Sequence, residues 1–159
     1  MLLIDLCGNY VLQCKKSNAL VNAVVPGTVL TDLVREQIID DPFYRDNESH
    51  ALALSYDEYT YSKDFVLKDS DIDFDAIELI CEGLDTIADV YINDTHVLHA
   101  GNMHREWRKD IKSVIFAGQN SIRVEFSSPT DYIENAYNNG SIQYHSGATM
   151  KGADRKSVV

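Results

Sequence analysis

Strict alternation of apolar and polar positions marks the middle and later parts of the chain. From Tyr59 to Leu67, Tyr59, Tyr61, Lys63 and Phe65 fall on one face and Thr60, Ser62 and Asp64 on the other. That period of two is the signature of a half-buried strand. Ile77 to Cys81 reads as a second strand and Ile87 to Ile92 as a third. The third is closed by the turn pair Asn93-Asp94, after which Val97-Leu98-His99 returns as its hairpin partner. Gly118-Gln119-Asn120 turns the chain into Ser121 to Ser127, where Ile122, Val124 and Phe126 alternate with Arg123 and Glu125. Pro129 ends that strand, because proline has no N–H for the ladder.

Helical periodicity is scarce. Thr31 to Ile39 sets Leu33, Val34 and Ile38 at near-helical spacing, with Thr31 or Asp32 as the cap, and predicts one helix of about two turns. Asp131 to Asn139 reads as a further helix, and Asp110 to Phe116 fits either a helical turn or a strand. Short strands parted by turn signals, with one or two short helices, predict an all-β antiparallel sandwich. From Gly140 to Val159 the chain is polar and unpatterned. The expectation is a single sandwich domain over residues 1–135 and a truncated, poorly ordered segment of the same domain over 136–159.

Composition changes this picture little and charge narrows it. A chain of 159 residues is long enough to bury about two-thirds of its unfolded surface without a disulfide or a metal. Nine tyrosines favour β structure. A net charge of −11 repels phosphate backbones and anionic membranes, so neither nucleic acid nor membrane is an expected partner. A neutral ligand such as a sugar is compatible with it. No run approaches the roughly 18 apolar residues of a membrane span. The start, Met1 to Leu6, lacks a basic stretch and a cleavage site, and Asp5 interrupts it, so a mature N-terminus and a cytoplasmic location are expected. Cys7, Cys14 and Cys81 are odd in number and unclustered, and imply neither a zinc site nor a disulfide framework. Cys81 lies in an apolar run and reads as a buried free thiol.

Four blocks, in order, carry a resemblance. The first is Val25-Pro26-Gly27-Thr28-Val29, then Asp32-Leu33, then Asp41-Pro42-Phe43-Tyr44 with Asn47-Glu48. The second is Tyr59 to Phe65. The third is Gly83-Leu84-Asp85-Thr86-Ile87-Ala88-Asp89-Val90-Tyr91-Ile92-Asn93. The fourth is Asn102-Met103-His104-Arg105, with Asp110-Ile111 and Phe126 to Pro129. Together they resemble the N-terminal jelly-roll domain of glycoside hydrolase family 2 enzymes, most of all the β-mannosidases. Three departures stand out: Tyr59 where the family has Trp, Asp94 where it has Gly and His104 where it has Phe. The resemblance implies a galactose-binding-domain-like jelly roll. It further implies a longer protein in which immunoglobulin-like and (β/α)8-barrel domains follow, and a truncation here near Val159.

The implied activity is that of a retaining exo-glycosidase on terminal β-D-mannosides. Such enzymes need two carboxyl groups about 5–5.5 Å apart, and in the family both sit in the barrel. No catalytic residue is therefore expected in this chain, which should be inactive alone. No cofactor is implied. Asp40-Asp41 and Asp71 with Asp73 are expected to be solvated acids. The histidines show no metal-ligand spacing beyond His96 and His99, and three residues apart on a strand those two should point to opposite faces. The substrate-proximal candidates are Asn47, Glu48 and Trp107. Asn47 and Glu48 belong to a loop that resembles one facing the barrel mouth in relatives, which implies hydrogen bonds to sugar hydroxyls. As residues they equally suit turn capping. Trp107 can stack on a sugar or anchor the core or a domain interface. The alternatives are a freestanding carbohydrate-binding module of this fold, or the same domain from a β-galactosidase- or β-glucuronidase-type relative.

Overall fold

Backbone hydrogen bonding divides the computed structural model into three antiparallel sheets. It describes residues 2–42, 44, 47–141 and 157–158, with 48–50 and 157–158 as backbone alone. The first half holds β1 (Gly8–Cys14), β2 (Leu20–Val25), β3 (Gly27–Thr28), α1 (Val29–Arg35), α2 (Glu48–Ala53), a 3-10 turn (Leu54–Tyr56) and β4 (Tyr59–Leu67). Then come α3 (Asp69–Ile72), β5 (Glu78–Cys81), β6 (Leu84–Asp85), β7 (Ala88–Ile92) and β8 (Thr95–Ala100). The last are β9 (Trp107–Asp110), β10 (Gly118–Phe126), α4 (Pro129–Asn138) and β11 (Ser157–Val158). The main sheet runs β2-β1-β4-β10-β7-β8, and β3-β11-β6 and β5-β9 form the smaller ones. This is the expected antiparallel architecture, with more helical turns than the one or two expected.

The alternation in β4 and β10 delivers the core as read. Tyr59 and Tyr61 of β4 and Ile122, Val124 and Phe126 of β10 are buried, and Lys63 and Phe65 are half-buried. Tyr61 stands edge-on to Phe126 (6.0 Å, 83°) and to Tyr10 (6.5 Å, 63°), the geometry that aromatic quadrupoles prefer. The strands β1 and β2 are absent from the sequence reading. They bury Tyr10, Leu12, Cys14, Val21, Ala23 and Val25, yet expose Val11, Leu20 and Val24 on the other face. With apolar residues on both faces the period of two disappears.

Helix α1 begins earlier than expected, and its cap is Thr28 rather than Thr31 or Asp32. Thr28 Oγ1 accepts the Thr31 N–H (3.1 Å) and Thr31 Oγ1 accepts the Thr28 N–H (3.2 Å), a reciprocal box built from two threonines. Gly27 precedes it in a crowded place, where a Cβ would lie 2.3 Å from the Val24 carbonyl oxygen. Backbone cannot swing aside as a side chain can. Gly27→Ala is thus expected to cost about 1–3 kcal/mol, read as a lower urea midpoint at unchanged slope.

The β7–β8 hairpin turns through Asn93 (φ 48°) and Asp94 (φ 62°), the left-handed pair of a tight hairpin turn. One expectation fails here. Val90 pairs with Leu98 but Tyr91 pairs with His96, so Val97 is an extra residue in the ladder. That bulge returns His96 to the face of His99, and both rings reach Asp89 Oδ1, at 2.7 and 3.0 Å. The two histidines share a face instead of pointing apart.

At the far end, α4 runs from Pro129 to Asn138, across the boundary drawn at residue 135. Residues 142–156 and 159, most of the segment expected to be poorly ordered, lie outside the described residues. The backbone of 157–158 lies between β3 and β6, which pair only through it among the described residues.

Candidate functional site

The chain leaving α1 turns through Gln37, a non-glycine residue at φ 57°. Left-handed backbone at a residue with a Cβ is sparsely populated and gathers at binding sites. The loop that follows borders two adjoining hollows of about 260 and 490 Å³. Gln37, Ile38, Ile39, Asp40, Asn47 and Ala51 line the first, and Asp40, Asp41, Tyr44 and Asn47 the second. They share Asp40 and Asn47, so they form one open groove.

Asn47 is held firmly in it. Its Nδ2 donates to the Asp41 carbonyl (2.9 Å), and its backbone N–H donates to the Tyr44 carbonyl (3.3 Å). The Tyr44 N–H in turn reaches the Asp41 carbonyl (3.1 Å). One of the two Nδ2 hydrogens is spent on the loop; an amide carries a second N–H and an acceptor oxygen besides. The side chain of Glu48 lies outside the described residues. Asp40 and Asp41 are exposed on one loop, where they can accept hydroxyl hydrogens but do not face each other across an enclosed cleft.

Trp107 is elsewhere, on β9, paired with Cys81 of β5. It is half-buried against the core, and its Nε1–H donates to the Asn102 carbonyl (3.3 Å). The Arg105 guanidinium lies 4.6 Å from the ring centroid. The partners of Trp107 and of Asn47 do not overlap, so nothing among the described contacts unites them in one site. Gln37, Ile38 and Asp40 are what the sequence reading lacked as binding candidates. A glutamine in left-handed backbone leaves no sequence signature.

The buried acids of the chain are structural. Asp32 is fully buried and accepts from the Val24 N–H (3.2 Å), the Arg35 guanidinium (2.5 Å) and the Tyr61 hydroxyl (3.0 Å). Asp57 Oδ1 accepts the backbone N–H groups of Lys16 (3.0 Å) and Glu58 (2.8 Å). Asp85 is different. Its neighbour Thr86 donates to Oδ1, but among the described residues nothing satisfies Oδ2. Asp85→Asn removes that unpaired charge and is expected to stabilise the isolated chain by about 1 kcal/mol, a gain readable in the urea midpoint. Among the described residues no group of three or more His, Cys, Asp or Glu side chains is placed to hold a metal ion, and no helix is long and apolar enough to cross a membrane.

Comparison with known proteins agrees with this architecture. Residues 10–158 match the family described as glycosyl hydrolase 2 galactose-binding domain-like. A probable β-mannosidase of Caenorhabditis elegans is 36% identical over 134 residues, which are 83% of this chain and 15% of the relative. The β-mannosidase of Capra hircus is 34% identical over 129 residues, 81% of this chain and 15% of its own. The crystal structure of a β-D-mannosidase from Dictyoglomus thermophilum superposes with a TM-score of 0.88 at 28% identity, over 94% of this chain and 18% of that one. The chain therefore spans only about 15% of the length of these curated relatives. By fold and by sequence, this chain belongs to the galactose-binding-like domain family of the family 2 glycosyl hydrolases.

Proposed function

We propose that the chain is the non-catalytic N-terminal domain of a longer retaining exo-glycosidase that hydrolyses terminal β-D-mannosides. One observation carries the reading: a β-mannosidase and a probable β-mannosidase are similar over more than four-fifths of this chain, and the match takes up 15% of each. The remainder of such a protein has room for the barrel and its two carboxylates, together with an immunoglobulin-like domain between. In this reading the loop of Asn47 and Glu48 stands at the rim of the sugar site. Trp107, braced by Arg105 and the core, is an anchor rather than a stacking platform.

The test is aryl β-glycoside hydrolysis by this chain and by the longer protein, using mannoside, galactoside, glucoside and glucuronide in parallel. Turnover of the mannoside alone, by the longer protein alone, is the expected result. Turnover by the 159 residues themselves would sink the proposal, because a catalytic pair would then lie within this domain. Preference of the longer protein for galactoside or glucuronide would move it to another branch of the same hydrolases.

A further inference from the structure

We propose that Asn139 is a self-modifying site, at which the Gly140 backbone nitrogen attacks the side-chain amide and converts the residue to aspartate or isoaspartate. Opening of the last turn of α4 gates the reaction. Water is the only co-reactant, and the proposal is independent of the activity assigned above.

The chemistry starts from the residue types. The backbone nitrogen after an asparagine can close a succinimide ring on Cγ of that side chain. The bond from nitrogen to Cγ forms, the bond from Cγ to Nδ2 breaks, and ammonia leaves. Water then opens the ring at either carbonyl. One product is ordinary aspartate, and the other is isoaspartate, whose backbone runs through Cγ. Closure is easiest when the following residue has no side chain, and serine is the next most permissive. The chain has one Asn-Gly pair, Asn139-Gly140, and one Asn-Ser pair, Asn120-Ser121.

The fold separates the two pairs. Asn120 is buried, and its Nδ2 donates to the carbonyls of Phe116 (2.7 Å) and Gly118 (3.1 Å). Its Oδ1 accepts from the Phe116 N–H (3.2 Å) and from Asn93 Nδ2 (2.8 Å). The nitrogen that would attack it, that of Ser121, donates to Asn93 Oδ1 (2.9 Å). Reaction there needs the domain to unfold. Asn139 is exposed, and its side-chain amide makes no hydrogen bond among the described residues. A Cβ on Gly140 would meet nothing within 4 Å, so the site is open to water.

The helix cap creates the vulnerable pair. Gly140 takes φ 70°, its N–H donates to the Tyr137 carbonyl (3.0 Å), and the Ser141 N–H donates to the Ala136 carbonyl (2.9 Å). These are the two bonds of a Schellman end, whose left-handed position favours glycine. In the closed cap Tyr137 holds the attacking nitrogen, so ring closure waits for both bonds to open. A helix end opens far more readily than a buried strand. Either product then loosens the cap further. Aspartate puts a negative charge at the negative end of the helix dipole, and isoaspartate lengthens the backbone by a methylene, which takes the two bonds out of register.

The experiment ages the full 159-residue chain in warm, mildly alkaline buffer, with a parallel sample unfolded in urea. Peptide mapping by mass spectrometry follows the exchange of NH2 for OH, and labelling by an isoaspartyl methyltransferase identifies the isoaspartate. In the native chain Asn139 should convert, and Asn120 should convert more than about a hundredfold more slowly. In urea both should convert. Asn139→Gln should abolish conversion at this position. Asn139→Asp should speed hydrogen exchange at the Gly140 and Ser141 amides with an unchanged melting temperature, since a terminal turn opens apart from the core. Conversion of Asn139 in urea but not in the native chain would overturn the proposal, because the cap would then stay shut. Equal rates at Asn139 and Asn120 in the native chain, or no conversion in either sample, would overturn it as well.

Discussion

Replacing Asp32 with alanine is expected to cost about 3–5 kcal/mol, more than any other polar substitution in this chain. The carboxylate is fully buried and takes three hydrogen bonds, from the Val24 N–H, the Arg35 guanidinium and the Tyr61 hydroxyl. Bonds to a charged acceptor contribute about 1.5–3 kcal/mol each, and the Tyr61 hydroxyl, left dry and unpaired, adds its desolvation penalty. Arg35 recovers part of the loss, since it is nearly half exposed and can turn to water. The conservative Asp32→Asn should cost less, because one oxygen remains to accept from Tyr61. Equilibrium urea unfolding reads all of these, and a loss below about 1 kcal/mol for the alanine variant would refute the account.

A second consequence follows from where these bonds go. Strand β2 is an edge of the main sheet, and its outward backbone groups are what another chain would pair with. Two of them are taken by α1: Asp32 accepts the Val24 N–H, and Arg35 donates to the Asn22 carbonyl (3.1 Å). Beside them stand Leu20 and Val24, 70% and 38% exposed. Asp32→Ala should therefore raise light scattering under conditions where the wild-type chain stays clear.

This helix also shows what a sequence can and cannot disclose. The elements that were legible are those with one wet and one dry face, β4, β10 and β7, where alternation is regular, and the hairpin turn after β7, which the Asn93-Asp94 pair marks by residue type. Strands β1 and β2 carry apolar residues outward as well, and the two-residue strands β3, β6 and β11 are shorter than one period. The burial of Asp32 was illegible for a related reason. Acids are nearly always solvated, and the three donors that make its burial tolerable come from β2, β4 and α1 itself, brought together only by the fold. The groove divides the same way. Asn47 announces itself by residue type and motif, whereas Gln37 and Ile38 matter through a backbone conformation and an exposure. The shared face of His96 and His99 depends on a single inserted residue, Val97, which leaves no trace in a pattern of hydrophobicity.

Alkali should unfold the domain cooperatively, within about two pH units above the ordinary tyrosine pKa of about 10. Tyr10, Tyr59 and Tyr61 are 7%, 2% and 1% exposed. Burial is the main cause holding each phenol above its ordinary value, to about 12 for Tyr10 and higher still for the other two, where Asp32 adds to the effect at Tyr61. All three are also hydrogen-bond donors, to the carbonyls of Leu6 and Leu54 and to Asp32, and ionisation abolishes the donor. Between the unfolded and folded values the unfolded chain has lost these protons and the native chain keeps them. The tyrosines' contribution is then complete below about pH 10 and falls as pH rises, by about 1.4 kcal/mol per pH unit for each tyrosine. Three acting together give a slope near 4 kcal/mol per unit, or about 8 kcal/mol by pH 12, enough to exhaust the stability of a domain in the lower half of the usual 5–15 kcal/mol. The buried Cys81 thiol, pushed up to about 11 by desolvation, adds a shallower decline that begins lower, and Cys81→Ala would separate it. Tyrosinate absorbance followed alongside circular dichroism makes the check. The two should change together in one step, and Tyr10→Phe should flatten the slope by about a third. A gradual rise in absorbance with the circular dichroism unchanged through pH 12 would mean that water already reaches these hydroxyls, and that the aromatic centre of the sandwich is looser than its packing implies.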